Sequence, residues 1–215
     1  MIREVFCAPC YGTKLPQKNQ LHVGIQTHAL FKRYLEQDFG KVRSLQHFFQ
    51  LSYGVSDWFS LDLKGGAGYI KQHPLDSDEL DYPDSFAGGY GFRIKLLDDQ
   101  KARIRAVFGF QHISVHPKST TVEGIKNESL LDDWQVSLIV SKDIYELVPY
   151  LGVKWSRLDY VHRQAGERKR KMSDLTKSTG VILGIDIPFF FESWLNIEGH
   201  LLDEQALSLS ITFEL

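Results

Sequence analysis

From Gln20 to the last residue, apolar side chains recur at every second position. A chain with that period folds as strands carrying two unlike faces. Leu21, Val23, Ile25, Ala29 and Phe31 alternate with His22, Gly24, Gln26 and His28. Leu45, Phe49, Leu51, Tyr53 and Val55 form the next stripe, and Ser56-Asp57 is placed to turn the chain. The return runs through Phe59, Leu61 and Leu63, with Ser60, Asp62 and Lys64 between them, which makes a hairpin. The same alternation marks Phe86 to Leu96, Ala102 to Phe110, Trp134 to Val140, Leu151 to Trp155, Val181 to Ile187, Leu195 to Leu201 and Leu207 to Leu215. About ten strands are expected, within a range of eight to twelve.

The two faces differ in a way that argues against an ordinary soluble core. One carries Leu, Ile, Val, Phe and Trp; the other carries glycines such as Gly66, Gly89, Gly109 and Gly152, with charged side chains among them. Ten large apolar faces turned inward would overfill a barrel of this size, whereas small and charged residues fit a narrow polar lumen. The connections also sort by length: short ones fall near Ser56-Asp57, Asp98 to Gln100, Lys142 to Glu146 and Phe189 to Glu192. Longer ones run His73 to Asp84, Pro117 to Leu131 and Gln164 to Lys177. Short turns at one rim and longer loops at the other characterise membrane-spanning barrels. The fold expected is all-β: an antiparallel up-and-down transmembrane β-barrel over residues 20–215, preceded by an N-terminal periplasmic tail over residues 1–19.

No apolar stretch reaches the roughly eighteen residues that a transmembrane helix needs. The mean hydropathy of −0.23 is compatible with a barrel, because every second strand residue faces a polar interior. Met1 to Gln20 lacks the apolar core of a signal peptide and carries Arg3, Lys14 and Lys18. The membrane reading therefore takes the export signal as already removed. Cys7 and Cys10 form a CxxC without a βαβ context or further zinc ligands, and are read as a local disulfide or thiols of the tail. A formal charge of −2 gives no field for nucleic acid.

Aromatic residues gather near strand ends. Trp58, Phe59, Phe189, Phe190, Phe191 and Trp194 lie toward the short-turn rim, and Tyr69, Phe86, Phe110, Trp134 and Trp155 toward the long-loop rim. Two such girdles suit the two membrane–water boundaries. With these features, Tyr53 to Leu63 resembles the strand–turn–strand of small bacterial outer-membrane barrels of the OmpA and OmpW type. Ala206 to Leu215 resembles the C-terminal signal read by the barrel assembly machinery. The resemblance implies outer-membrane location, contact with lipid and lipopolysaccharide, and use of that machinery during biogenesis.

Charged residues of the polar face are expected to meet in the lumen: Asp62, Lys64, Arg93, Lys95, Arg103, Arg105, Lys154, Asp186 and Glu198. Buried charges must pair or stay wet. Such a cluster either plugs the barrel or forms a constriction favouring small anions. His22, His28 and His200 can share the lumen, but ordinary hydrogen bonding accounts for them better than a metal, and no cofactor is expected. The acidic loop from Asp76 to Asp84 lacks the spacing of a calcium loop. The basic run from Arg163 to Lys177 is expected on the outer side as a solvated loop.

His112 and Ser114 stand at the outer end of one strand on its apolar side. His-x-Ser there resembles the lipid A 3-O-deacylase barrels of the PagL type. That resemblance implies an acyl hydrolase in which an acid orients the His, and Glu123 or Glu128 can supply it. The leading expectation is a non-enzymatic outer-membrane protein of structural or narrow-channel type. The alternatives are the acyl hydrolase and a soluble ligand-binding barrel of lipocalin type.

Overall fold

The computed structural model describes residues 12–164, 171–173 and 177–215. Among them are twelve strands: β1 (Leu21–Tyr34), β2 (Lys41–Ser56), β3 (Phe59–His73), β4 (Leu80–Asp99), β5 (Ile104–Val115), β6 (Thr120–Val122), β7 (Ile125–Lys142), β8 (Val148–Gln164), β9 (Lys171–Ser173), β10 (Thr179–Pro188), β11 (Ser193–Leu201) and β12 (Glu204–Glu214). Ten of these form a closed antiparallel barrel in which each strand pairs with the next along the chain. The short β6 and β9 only extend the loop ends of β7 and β8. Closure comes from β1 against β12, with Ile25 opposite Ile211, so no sheet edge is left unpaired around the wall.

The period-two pattern decides which face is which. Ile25, Phe49, Leu61, Leu151, Leu183 and Leu209 are exposed on the outside. His22, Gln26, Gln50, Asp62, Lys64 and Ser208 are buried inside. Such an outer surface is stable against hydrocarbon and not against water, which makes the barrel transmembrane. The first tight turn is Asp57-Trp58, one residue later than the sequence indicates, because β2 continues through Ser56. Gly54 makes this end possible: a Cβ there would sit 1.8 Å from Gln17 O, where the chain before β1 crosses the mouth. Trp194 departs from the expected girdle. It points into the lumen, 6% exposed, with its ring edge-on to His22 at 5.0 Å.

Candidate functional site

The lumen holds its charges in two separate groups rather than one layer. Near the short-turn mouth, Arg93 donates from Nε and Nη2 to the Asp62 carboxylate at 3.1 and 2.8 Å. Its Nη1 donates to Lys14 O at 2.8 Å. Residues 12–20 thus lie across this mouth: Thr13 Oγ1 donates to Ser141 Oγ at 2.6 Å, and Lys14 Nζ sits over the Trp194 ring at 4.8 Å. Asp186 is joined to the same region by Asn196, whose amide donates to Asp186 Oδ1 and Tyr150 OH, each at 2.7 Å. Cys7 and Cys10 lie outside the described residues.

The second group sits toward the loops. Lys154 Nζ contacts Asp203 Oδ2 at 3.0 Å and also bonds Glu204. Arg33 bonds Asp133 in bidentate fashion and reaches Glu204 Oε2 at 3.0 Å and Ser156 Oγ at 2.8 Å. His200 lies between Glu204 Oε1, 2.6 Å from Nδ1, and Glu198 Oε1, 2.7 Å from Nε2. Tyr150 OH donates to Glu198 Oε2 at 2.7 Å. Of the residues expected in the cluster, Lys154 and Glu198 belong here. Lys64, also buried, sits 5.6 Å from the centre of the Phe48 ring. Lys95 and Arg105 remain at the short-turn rim, paired with Asp98 and Asp143. Arg103 does not join the lumen at all: it is exposed in the β4–β5 turn at φ 55°, where the chain reverses. His28 lies 5.5 Å from His200 ring to ring, but His22 packs edge-on against Trp194 instead, so the three histidines do not converge.

Above the second group the interior changes character. Leu30, Val42, Phe48, Ile70, Ala87, Ile113, Val115, Leu131, Leu158 and Tyr160 point inward and pack as a dry layer below the loops. This corrects the expectation that the inner face is only small or charged. The signal lies in short runs of consecutive apolar residues near the loop ends, such as Ala29-Leu30-Phe31, Phe48-Phe49 and Leu130-Leu131, which demand burial on both faces at once. Between this layer and the ion pairs remains a void of about 20 Å³ lined by Gln26, His28, Lys64 and Gln135 among others, room for a single water.

On the outer wall, β5 and β7 bring four polar side chains together. Register places Ser114 opposite Asp132 and His112 opposite Trp134. Ser114 Oγ donates to the Asp132 carboxylate and lies 2.7 Å from His116 Nε2. His112 stacks on the Trp134 ring at 4.0 Å, with its Nε2 3.5 Å from Asp132 Oδ1. The acids expected from sequence are elsewhere. Glu123 is at the exposed tip of the β6–β7 hairpin, and Glu128 pairs with Lys126 and Arg163 at 2.8 and 2.6 Å. Asp132 was missed because its partner depends on the β5–β7 register, which the period of two alone does not give. Of the basic run, Arg168, Lys169 and Arg170 lie outside the described residues.

No protein-family model and no curated protein sequence matches the chain. Its fold is similar to that of the translocator domain of the autotransporter NalP from Neisseria meningitidis, at 13% identity and a TM-score of 0.49, over 91% of this chain and 88% of that one. An outer membrane channel from Pseudomonas putida F1 aligns at 9% identity and a TM-score of 0.45, over 94% and 97%. The outer membrane protease OmpT from Escherichia coli aligns at 12% identity and a TM-score of 0.43, over 91% and 94%.

Proposed function

We propose that this chain is a closed, non-conducting barrel of a bacterial outer membrane whose inside serves stability. The observation that carries this reading is the dry layer from Leu30 to Tyr160 stacked on the Lys154–Asp203–Glu204–Arg33 ion pairs, which together leave space for about one water. An ion crossing here would have to shed its hydration against apolar walls and break buried pairs, each costing several kcal/mol. In planar bilayers the purified barrel is expected to give no current steps above the lipid background. Discrete steps with anion preference would reverse the reading in favour of a narrow channel.

The outer-wall cluster favours a second reading, an ester hydrolase acting on membrane lipid. Ser114 Oγ would attack the ester carbonyl carbon and pass its proton to His116 Nε2. The imidazolium would then protonate the departing alkoxide, and water would release the acyl group from the serine. Here the carboxylate contacts the serine itself rather than the histidine that faces it. Release of fatty acid from lipid A or phospholipid by the wild type, abolished in Ser114→Ala and Asp132→Asn at unchanged gel mobility, supports this reading. No release by the wild type ends it.

A further inference from the structure

The rung of the barrel that ends at Ser114 contains a gap. Following the pairing sideways, Phe49 on β2 faces Gly65 on β3, Gly65 faces Gly88 on β4, Gly88 faces Ser114 on β5, and Ser114 faces Asp132 on β7. All five positions look outward. Gly65 and Gly88 have no side chain, and the wall between Phe49 and Ser114 is open at Gly65 and roofed at Gly88 by the Phe86 ring. One rung toward the short turns, Leu63 and Tyr90 form one bank; Phe86 forms the other. The resulting groove has a volume of about 610 Å³, within the range of small-molecule sites.

The notch is open at Gly65, whereas the Phe86 ring leans over Gly88, where a Cβ would stand 2.8 Å from Phe86 Cζ. A Cβ built on Gly65 meets nothing within 4 Å, so a side chain there would be tolerated by the barrel itself. The position of the groove across the wall also matters. On the short-turn side the outward residues are apolar, as in Leu61, Leu63, Phe92 and Phe110. On the loop side the next outward residues include His47 and His116, and Asp132 faces Asp159 on β8. The groove therefore sits where hydrocarbon gives way to polar surface. Its floor suits an alkyl chain, and its Ser114–His116 end offers a hydroxyl and an imidazole.

We propose that this groove is a specific lipid site. It holds one acyl chain of a diacyl membrane lipid over Gly65 and along the Phe86 ring that covers Gly88, with the ester end of that chain against Ser114 and His116. The proposal rests on the transmembrane reading but is independent of whether the bound ester is hydrolysed. Bulk lipid wets the whole wall, whereas a groove with one polar end selects an orientation and a depth.

The test uses the full chain reconstituted in phosphatidylethanolamine vesicles carrying a trace of phosphatidylethanolamine with a photoactivatable diazirine in its acyl chain. After irradiation, mass spectrometry compares label on the peptides around Gly65 and Gly88 with label on the opposite wall at Leu183 and Ile211. A several-fold excess at the groove is expected, falling to the opposite-wall level in Gly65→Phe and in Gly65→Leu. Equal labelling of both walls in the wild type, or unchanged excess in folded Gly65 variants, overturns the site. Absence of label from both walls would instead overturn the transmembrane reading.

Discussion

At Lys154 a fully buried ammonium lies 3.0 Å from Asp203 Oδ2 and bonds Glu204, while Arg33 neutralises the far side of Glu204 and Asp133. Truncating one partner leaves carboxylates uncompensated in a low-dielectric interior, which costs far more than the pair contributes when intact. Lys154→Met is therefore expected to destabilise the barrel by about 3–5 kcal/mol. The rim residue Lys95, paired with Asp98 where solvent screens the charges, should cost less than about 1 kcal/mol when changed to Met. Urea unfolding in detergent micelles checks both, and equal effects would contradict the division of the lumen into a buried group and a wet rim. Lys154 and Glu198 are legible in the sequence as inward charges, because parity along a strand assigns the face. Asp133 and Glu204 share that inward parity with Gln135 and Ser208, but Arg33 and Asp203 are not legible this way: Arg33 follows a register shift after Leu30 that breaks parity, and Asp203 sits in the β11–β12 loop. Asp132 carries the right parity, but only pairing places it beside Ser114.

The strand elements follow from the sequence with the least effort, since each outward stripe is four or so apolar residues with a turn at its end. What the alternation does not contain is the path of residues 12–20, which have no period and are ordered by tertiary contact. Asn19 N donates to Gly54 O at 2.7 Å, and Lys18 N to Asp57 Oδ1 at 3.0 Å, so this strap is held by the β2–β3 hairpin it crosses. Gly54 is the point of closest approach, and any side chain there collides with the Gln17 carbonyl. Gly54→Val should lift the strap while leaving the barrel closed. Limited trypsin digestion after Lys14 is expected to quicken by roughly tenfold or more, the effect of losing about 1.4 kcal/mol of local stability. The band of the folded barrel on an unboiled gel should not move. An unchanged cleavage rate would mean that the strap is anchored by Arg93 and Trp194 rather than by the hairpin.

For the whole molecule, the interior consists of three layers in series from the short-turn mouth to the loops. First come the strap with the Asp62–Arg93 pair, then the Lys154–Arg33 carboxylate group, then the apolar layer around Leu131 and Phe48. Conductance across layers in series is limited by the tightest of them, and on the proposed non-conducting reading the apolar layer seals by a mechanism unrelated to charge pairing. Deleting residues 1–17 removes the strap and leaves the Asp62–Arg93 pair and the two further layers in place. The shortened barrel is expected to open its short-turn mouth to thiol reagents at a Cys introduced for Ser52, yet to remain silent in planar bilayers. Ser52 is the suitable reporter because its hydroxyl accepts from Arg93 Nη2 at 3.3 Å beneath the strap. Current steps from the deletion alone would show that the two upper layers do not seal, and the lumen would then have to be treated as a gated path with the strap as its gate. Silence together with a reactive Ser52→Cys is the outcome expected of a barrel sealed by the ion-paired and apolar layers without the strap.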